Sequence, residues 1–528
     1  MPNMDSFDVV IIGSGINSLV CAAMLTRKGK RVCVLERNAV AGGCIRTEEI
    51  TVPGFRHDLF SMSYPLFVMA PYYPLLKPDL EAAGVSFVSA KLPTGVVLPD
   101  GRALVFSQSR EENVAAMNAL APGDGDAYRA AMEEVARDAG LIFPILTQEP
   151  WSWTTAKALA TELYRRGPRG LAAFFGDALP NARSWLEREF HSDLVRGLIA
   201  PWILHTGLGP DDAMSALMAK VIMFTLEAAA NPVVVGGSSR VVDAFRKLIE
   251  AGGGALETNA DVARVIVENN KAAGVETTAG RRISASTAVI CNVTPTQLYT
   301  RLLPPASVPD NIKARARAYT FGRADMQIHL ALSAPPQWTD PKLADVALIH
   351  LTPGLDGVAR AVRDAEAGLL PAEGTIVVGQ PARPDPSRCP PGQSLIWIQL
   401  QELPRVIRGD AAGEIAAPAD GAWTPAIAEA YAQRVLKRLA RHITNLDAAL
   451  IKSAVLSPAD LERYNINLVG GDPYSGACSL NQFHAWRPFP GGRNHRTVVD
   501  GLYHIGASTH PGPGLGGLSG YLAAADIT

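Results

Sequence analysis

The strongest constraint on the fold lies in residues 8–36. A short run of Val and Ile at residues 9–12 ends on Gly13 and is typical of a buried parallel strand. Gly13, Ser14 and Gly15 then open a helical stretch, and a second apolar run at residues 31–35 ends on Glu36. Strand, glycine turn, helix, strand and acid in this order predict a β-α-β unit that binds a dinucleotide.

Each part of this unit has a physical role in such a site. Gly13 permits the tight turn, Gly15 lets the backbone approach a pyrophosphate, and the helix N-terminus offers free N–H groups to that anion. Glu36 can accept hydrogen bonds from ribose hydroxyls, which argues against a 2′-phosphate. Ser18 replaces the third glycine, so the motif is imperfect. The cofactor-binding residues predicted here are Gly13, Ser14, Gly15, Asn17, Ser18, Glu36 and Arg37.

The composition argues against several other classes of protein. A chain of 528 residues is too long for one ordinary hydrophobic core and predicts two or three subdomains. A net charge of -2 gives no reason to expect a nucleic acid partner. The first strand begins within about seven residues, so no signal peptide is expected. No apolar run is long enough to span a bilayer.

The cysteines bear on metal binding and on the cellular setting. They form neither a CxxC pair nor a cluster with metal-ligand spacing, so we expect no metal site. This usage suits a reducing, cytoplasmic environment. The six residues are Cys21, Cys33, Cys44, Cys291, Cys389 and Cys478.

Between residues 37 and 230 the pattern changes from loops to helices. Gly42 and Gly43 predict either a loop that passes close to the same cofactor or an ordinary glycine turn. Residues 96–106 predict a β-hairpin around Asp100 and Gly101. Residues 111–230 are mostly helical and rich in aromatic side chains, which fill a helical core or form an apolar lid facing a greasy substrate or a membrane surface.

The rest of the chain alternates strands and helices and ends in a second glycine-rich turn. Residues 232–292 predict strands around a helix at 241–251, without a second acid-terminated β-α-β unit, so one nucleotide cofactor is expected. Residues 300–455 predict further strands and helices. A strand at 501–506 then leads through six glycines to a helix at 521–526. This turn indicates backbone packed against a flat ligand.

In this order the motifs resemble the phytoene desaturase-like flavoproteins, which belong to the broader amine-oxidase-type FAD fold. The resemblance rests on the N-terminal turn with Glu36, the Gly42-Gly43 loop, the Gly236-Gly237 segment with Val262, and the C-terminal glycine-rich turn. Residues 47–55 and 481–491 resemble the non-carotenoid branch, called pyridine nucleotide-disulfide oxidoreductase domain-containing proteins. The resemblance implies FAD as the cofactor.

The patterns and the resemblance together predict an α/β fold of two parts. A Rossmann-like FAD-binding domain is assembled from the discontinuous segments 1–75, 231–299 and 466–528. A mixed-sheet substrate domain at 300–465 is completed by a hairpin at 76–110 and a helical lid at 111–230.

The resemblance also implies roles for individual residues. The N-terminal turn would hold the FAD pyrophosphate, Glu36 the adenosine ribose and Val262 the adenine. Amine oxidases of this fold often carry Arg directly after the glycine pair, where this chain has Cys44, with Arg46 two positions later. This difference weakens transfer of the amine-oxidase mechanism. The residues predicted on the flavin side are Gly42, Gly43, Gly506, Ala507, Gly516, Gly517 and Leu518, and Arg46 is predicted to bind the cofactor as well.

The expected activity is FAD-dependent dehydrogenation of an apolar or alicyclic small molecule, in which a hydride leaves to flavin N5 and a neighbouring carbon loses a proton. Candidates for the group that takes this proton are His510, Tyr64, His57 and His205. Oxygen or a quinone is the expected electron acceptor. Two alternatives stay open: an amine oxidase acting on a C–N bond, and an FAD-binding membrane-peripheral or interaction protein with little turnover. The oligomeric state is not predicted.

Overall fold

Two seven-stranded sheets organise residues 5–527, the part of the chain that the computed structural model describes. The first, which we call the parallel sheet, has five parallel strands at its centre, with an antiparallel hairpin beside the first half of the longest strand. The parallel strands, in spatial order, are Ala255–Glu257, Val32–Leu35, Asp5–Ile12, Arg282–Asn292 and Leu502–Ile505, and the hairpin strands are Val262–Glu268 and Lys271–Thr277.

The parallel sheet is covered on both faces, which explains its continuous apolar strands. On one face Val9 and Ile11 pack with side chains of three helices, Ile16–Arg27, Ser239–Ala251 and Leu518–Asp526. On the other face Val10 and Ile12 belong to a second cluster that includes the hairpin. The last helix begins three residues earlier than predicted, directly after Gly517, whose φ is +64°.

The second sheet, which we call the mixed sheet, draws all its strands from residues 92–106 and 324–456. Its neighbours are antiparallel except for one parallel pair, Leu92–Val97 with Val346–Leu351. One face packs on the amphipathic helix Pro425–Leu439. The remaining strands are Ala103–Phe106, Ala324–Leu332, Ile376–Gly379, Ser394–Leu403 and Leu450–Leu456.

Six helices between residues 110 and 229 cover part of the second face of the mixed sheet. Their aromatic side chains divide into two groups. Trp185 and Trp202 are buried in a core cluster, whereas Trp151 and Trp153 are exposed. The interpretation as a helical core is therefore confirmed for the buried aromatic side chains, and the interpretation as an apolar lid stays a prediction. The helices are Arg110–Leu120, Asp124–Thr147, Trp153–Ala178, Ala182–Glu189, Asp193–Leu204 and Ser215–Ala229.

Shorter elements complete the fold. The further helices are Pro65–Val68, Tyr73–Ala82, Pro295–Gln297, Asp310–Arg317, Gly354–Glu366, Leu446–Ala449 and Pro458–Tyr464, with a π-helical turn at Leu298–Leu302. Short 3-10 turns lie at Pro305–Ser307, Pro341–Asp345, Pro386–Arg388, Val469–Gly471, Leu480–Gln482 and His484–Trp486. Further two-stranded pairs are Thr47–Glu48 with His57–Asp58, Phe87–Val88 with Val233–Val234, and Leu369–Leu370 with Gly409–Asp410.

The predicted α/β fold class is confirmed. The parallel sheet is assembled from three separated segments of the chain, and the other sheet is mixed, as the sequence predicts. The exact limits of the domains stay a prediction.

Candidate active site

A cavity of about 280 Å³ lies between the two sheets, and we call it the inter-sheet cavity. The parallel sheet contributes the carboxyl ends of three neighbouring strands, at Ile12, Leu35 and Asn292. The mixed sheet contributes the polar side chains of Asp325 and Gln399, among others. In open α/β sheets the carboxyl ends of parallel strands are the usual place for a ligand.

The glycine turn and Glu36 form one hydrogen-bonded unit in the wall of this cavity. The Ser14 backbone N–H and hydroxyl both donate to Glu36 Oε2, at 3.1 and 2.6 Å. The backbone N–H of Asn38 donates to Glu36 Oε1 at 2.9 Å, and that of Gly42 donates to Ser14 Oγ at 2.9 Å. Glu36 is buried, so these bonds fix the carboxylate at the end of the second strand.

Close backbone packing explains why glycines recur around the cavity. A Cβ on Gly43 would lie 3.2 Å from the Cα of Gly15, so the second glycine loop rests on the first. A Cβ on Gly506 would overlap Asn292 Oδ1, and one on Gly520 would overlap the carbonyl oxygen of Asn17. The two ends of the chain therefore meet at this site with only hydrogen atoms between them.

The predicted cofactor residues fall into three groups: those that line this cavity, those that line another, and those that line neither. Those that line the inter-sheet cavity are Gly13, Ser14, Gly15, Asn17, Glu36, Arg37, Gly43, Val262 and Ala507. Gly516 and Leu518 line a different cavity. Four predicted residues line neither cavity and lie behind the wall: Gly42, Ser18, Gly506 and Gly517. Ser18 Oγ, for example, accepts a hydrogen bond from Asn292 Nδ2 at 2.9 Å. Arg46 pairs with Glu48 and stacks over Tyr464, away from both cavities.

A second cavity of about 410 Å³ adjoins the first, and we call it the apolar cavity. Side chains from the helices at 124–147, 193–204 and 215–229 form one wall, and residues 61–71, the C-terminal glycine turn and side chains of the mixed sheet, among them Leu348 and Trp397, form most of the rest. No Asp, Glu, Lys or Arg of the described chain lines it. Its largest apolar side chains are Phe67, Phe143, Trp202, Trp397, Phe483, Met218 and Ile222.

The two cavities share a junction. The residues that line both are Asn17, Ser61, His205, Gln399, Pro513, Gly514 and Leu515. Of the four catalytic candidates, only His205 lies at this junction. Its Nε2 is 3.0 Å from Nε2 of His350, and its ring stacks on Trp202 with centroids 4.6 Å apart. Burial lowers the pKa of His205 to about 4, so it is neutral at pH 7.

The structure separates the other three candidates. Tyr64 lines the apolar cavity, and its hydroxyl donates to the Ser61 carbonyl oxygen at 3.3 Å, while burial raises its pKa well above the usual range. His57 and His510 line neither cavity. His57 Nε2 is bound to Thr51 Oγ1 at 2.7 Å, and burial lowers the pKa of His57 to about 2 and that of His510 to about 3.

The sequence reasoning missed a polar face on the mixed sheet. Asp325, Gln327 and His329 alternate along one buried strand, and Gln399 and Gln401 alternate along its antiparallel neighbour. All except His329 line the inter-sheet cavity. Polar residues at every second position of an otherwise apolar, fully buried strand are unusual and provide the signal that could have revealed them.

These features fit a flavin dinucleotide. Close packing at Gly43, which lines the cavity, and at Gly506, which lies behind it, leaves little or no room for a side chain at either position. The helix Ile16–Arg27 begins at the cavity, with Gly15 as its N-cap. On the opposite wall Gln327 Oε1 and Gln401 Oε1 are buried without a hydrogen-bond partner, as expected for a site that a polar ligand completes.

Comparison with known proteins decides the family. A model of the flavin-containing amine oxidoreductases matches residues 19–528. The chain belongs to this family. FAD is therefore its cofactor, and the protein is an FAD-dependent oxidoreductase, as the sequence predicts.

Relatives match over nearly the full length of the chain. Pyridine nucleotide-disulfide oxidoreductase domain-containing protein 2 of Mus musculus is 26% identical, over 98% of this chain and 92% of its own. A limonene dehydrogenase component of Castellaniella defragrans is 26% identical, over 100% and 95%. A neurosporene-forming phytoene desaturase of Cereibacter sphaeroides is 24% identical, over 98% and 94%. The resemblance named from the sequence is confirmed.

Solved structures agree on the fold. Putrescine oxidase bound to putrescine superimposes with a TM-score of 0.62 at 16% identity, over 99% of each chain. Within residues 5–527 no helix is both long and apolar enough to cross a membrane, and no group of three or more His, Cys, Asp or Glu side chains is arranged to hold a metal ion.

Proposed function

We propose that the protein dehydrogenates a neutral, apolar alicyclic small molecule and introduces a C=C bond. The observation that carries this proposal is the apolar cavity, whose described lining holds no charged side chain. FAD supplies the chemistry of hydride acceptance, and the protein provides binding, orientation and exclusion of water.

The lining argues against a cationic substrate. An alkylammonium group in this cavity would be buried without a carboxylate in the wall, and an unpaired buried charge is costly. The acids that line the inter-sheet cavity are Glu36, Asp261 and Asp325. Of these, only Asp325 lies on the mixed sheet, and it is the observation that favours the competing hypothesis of amine oxidation.

The size of the cavity supports a compact substrate. A volume of about 410 Å³ suits a small ring system, whereas a polyene would need a long tunnel. The full-length similarity to a protein named as part of a limonene dehydrogenase supports the same substrate class. Oxygen or a quinone remains the proposed electron acceptor.

The exposed aromatic side chains support a further proposal, that the protein contacts a membrane surface from which an apolar substrate can enter. Trp153 and Tyr164 on the helix Trp153–Ala178 are 82% and 94% exposed. Lys157, Arg165 and Arg169 on the same helix are also exposed or half-buried. Exposed aromatic residues with basic neighbours are typical of interfacial helices.

Anaerobic flavin reduction tests the proposed function. The purified holoenzyme is mixed with cyclic monoterpenes and cycloalkanones, with primary amines, or with polyenes, and the oxidised flavin absorbance is followed. We expect neutral alicyclic compounds to bleach the flavin and amines to leave it oxidised. Bleaching by amines alone would establish C–N oxidation instead. If no compound bleaches the flavin while the protein binds liposomes or a protein partner, a binding protein with little turnover is the better description.

A further inference from the structure

Asp325 occupies an irregular position in the mixed sheet. Along its strand Ala324 pairs with Leu403 and Met326 pairs with Leu400, so the step between these pairs spans two residues on this strand and three on the neighbouring one. The extra residue forms a β-bulge beside Asp325. Bulges commonly re-aim a side chain next to an active site. Here the bulge coincides with a carboxyl group in the wall of the inter-sheet cavity.

The carboxyl group is held by one oxygen and free at the other. Gln399 Nε2 donates to Asp325 Oδ2 at 2.5 Å, and Gln327 Nε2 donates to the same atom at 3.3 Å. Oδ1 is buried and has no hydrogen-bond partner. Because Gln399 lines both cavities, Asp325 lies one hydrogen bond from the junction where the substrate and flavin sites meet.

Burial raises the pKa of Asp325 to about 7, although the hydrogen bonds from Gln399 and Gln327 oppose this shift. A group with a pKa near the working pH is well suited to take a proton. Its titratable neighbours are neutral there, since burial raises the pKa of Cys44 to about 11 and that of Tyr474 well above its usual value. The other ionisable groups of the lining are His205, Glu36, Arg37, Asp261 and Arg301.

We propose that Asp325 is the base that removes the proton from the substrate carbon next to the one that loses hydride. In this step the C–H bond breaks, the proton goes to Asp325 Oδ1, and the electron pair becomes the second bond of the alkene. The adjacent carbon loses its hydrogen with two electrons to FAD, which the established activity supplies. The assignment rests on the proposed function, because it assumes that a C–C bond is oxidised.

The other candidates that line at least one of the cavities are less suited to this role. His205 shares its Nε2 with His350, and its pKa of about 4 makes it a weak base. Tyr64 is a phenol whose pKa lies well above the usual value, so it is protonated at pH 7. Asp325 combines a free oxygen, a fixed orientation and a place in the wall.

The test compares two buried carboxyl groups on neighbouring strands. Glu402 is the matched control, because burial raises its pKa to about 7 as well, yet it binds Thr375 and lines neither cavity. For Asp325→Asn we expect flavin content and absorbance like the wild type, and a rate of flavin reduction at least about 100-fold lower, in the range that general bases contribute. For Glu402→Gln we expect reduction close to the wild-type rate.

The pH dependence of flavin reduction distinguishes a base from a residue with a merely structural role. The wild-type rate of flavin reduction should rise with pH through about 7, as Asp325 loses its proton, and the Asp325→Asn rate should be flat. Infrared difference spectra of the holoenzyme without substrate should show a carboxyl band that titrates in the same range and is missing in Asp325→Asn.

Several outcomes would overturn the assignment. An Asp325→Asn variant that reduces its flavin at the wild-type rate, or one that loses FAD, would show that Asp325 is not the base. If that variant does not fold, a wild-type rate that is constant between about pH 5 and 9 would have the same consequence, because a base with this pKa must titrate in that range. Reduction of the wild type by amines alone would contradict the proposed function, whereas the infrared titration would still test whether the Asp325 carboxyl can take up a proton there.

Discussion

The two cavities differ in what they are made of. One wall of the inter-sheet cavity rests on closely packed chain, where a methyl group would not fit at Gly506 or Gly520, and the opposite wall consists of polar side chains from the mixed sheet. The apolar cavity is lined by side chains from helices, a loop and the mixed sheet, and by a glycine turn. We propose that the first holds FAD and that the second selects the substrate.

This difference predicts how each cavity responds to substitution. A change in the closely packed wall of the inter-sheet cavity should abolish cofactor binding, because the Asn292 side chain and the main chain of Asn17 leave no room for an added methyl group. A change in the apolar cavity should alter the choice of substrate and leave the flavin bound. Loss of flavin from a variant of the apolar cavity would contradict this separation of roles.

Substitution of Gly506 should have the largest effect. Gly506 has a φ of +114°, and a Cβ there would overlap Asn292 Oδ1, whose side chain also binds Ser18 at the start of the first helix. We expect Gly506→Ala to purify with less than about a tenth of the wild-type flavin, since positive-φ strain of ~1–3 kcal/mol adds to this overlap. Flavin content after gel filtration measures it.

Gly280→Ala is the control for strain alone. Gly280 also has a positive φ, +80°, but a Cβ there meets no heavy atom within 4 Å. This variant should retain wild-type flavin content. If both variants bound FAD equally well, close backbone packing would not be what defines the inter-sheet cavity.

A charge in the apolar cavity should have an intermediate and selective effect. Thr225 lines this cavity, and its hydroxyl donates only to the Val221 carbonyl oxygen of its own helix, at 2.8 Å. Thr225→Asp would place a carboxylate where no described lining residue carries a positive charge. We expect the KM for a neutral alicyclic substrate to rise at least about tenfold, near the scale of specificity in apolar pockets, with unchanged flavin content.

Thr225→Val has nearly the same shape without the charge. Its KM should stay within about threefold of the wild type, because only a hydroxyl bonded to its own helix is lost. Loss of FAD from Thr225→Asp would contradict the separation of the two cavities. Faster flavin reduction by amines in Thr225→Asp would strengthen the evidence for separate roles, because one carboxylate in the apolar cavity would then have changed the substrate class.

The cofactor half could be predicted from sequence because its determinants are local. Gly13, Gly15 and Glu36 lie within 24 consecutive residues, and their spacing follows from one strand, one helix and one strand. The C-terminal turn was recognisable for the same reason. Arg46 shows the limit of this reasoning: its neighbour Glu48 and the ring of Tyr464 hold it outside the cavity.

The substrate half depends on register and packing, which a single sequence does not specify. Asp325 and Gln399 are 74 residues apart, and a β-bulge lies where their strands meet. His205 meets His350 across 145 residues. His510 was an attractive candidate because it adjoins the glycine turn, but its ring is buried near His484 and His495, away from both cavities.

The smallest effect is expected at the exposed aromatic side chains. The double variant Trp153→Ser and Tyr164→Ser removes two rings that are 82% and 94% exposed. Because neither ring is buried, the free energy of unfolding should change by no more than about 0.5 kcal/mol. Flavin content and kcat with dispersed substrate should equal the wild-type values.

Binding of the double variant to vesicles that contain anionic lipid should weaken at least about threefold, because the rings supply apolar contact with the interface. Val406→Ser, which removes a side chain that is 53% exposed and lies outside that helix, is the control and should bind vesicles like the wild type. Equal vesicle binding by the double variant and the wild type would show that the exposed rings do not contribute to membrane contact. The apolar cavity would then be the only proposed determinant of substrate choice in the described chain.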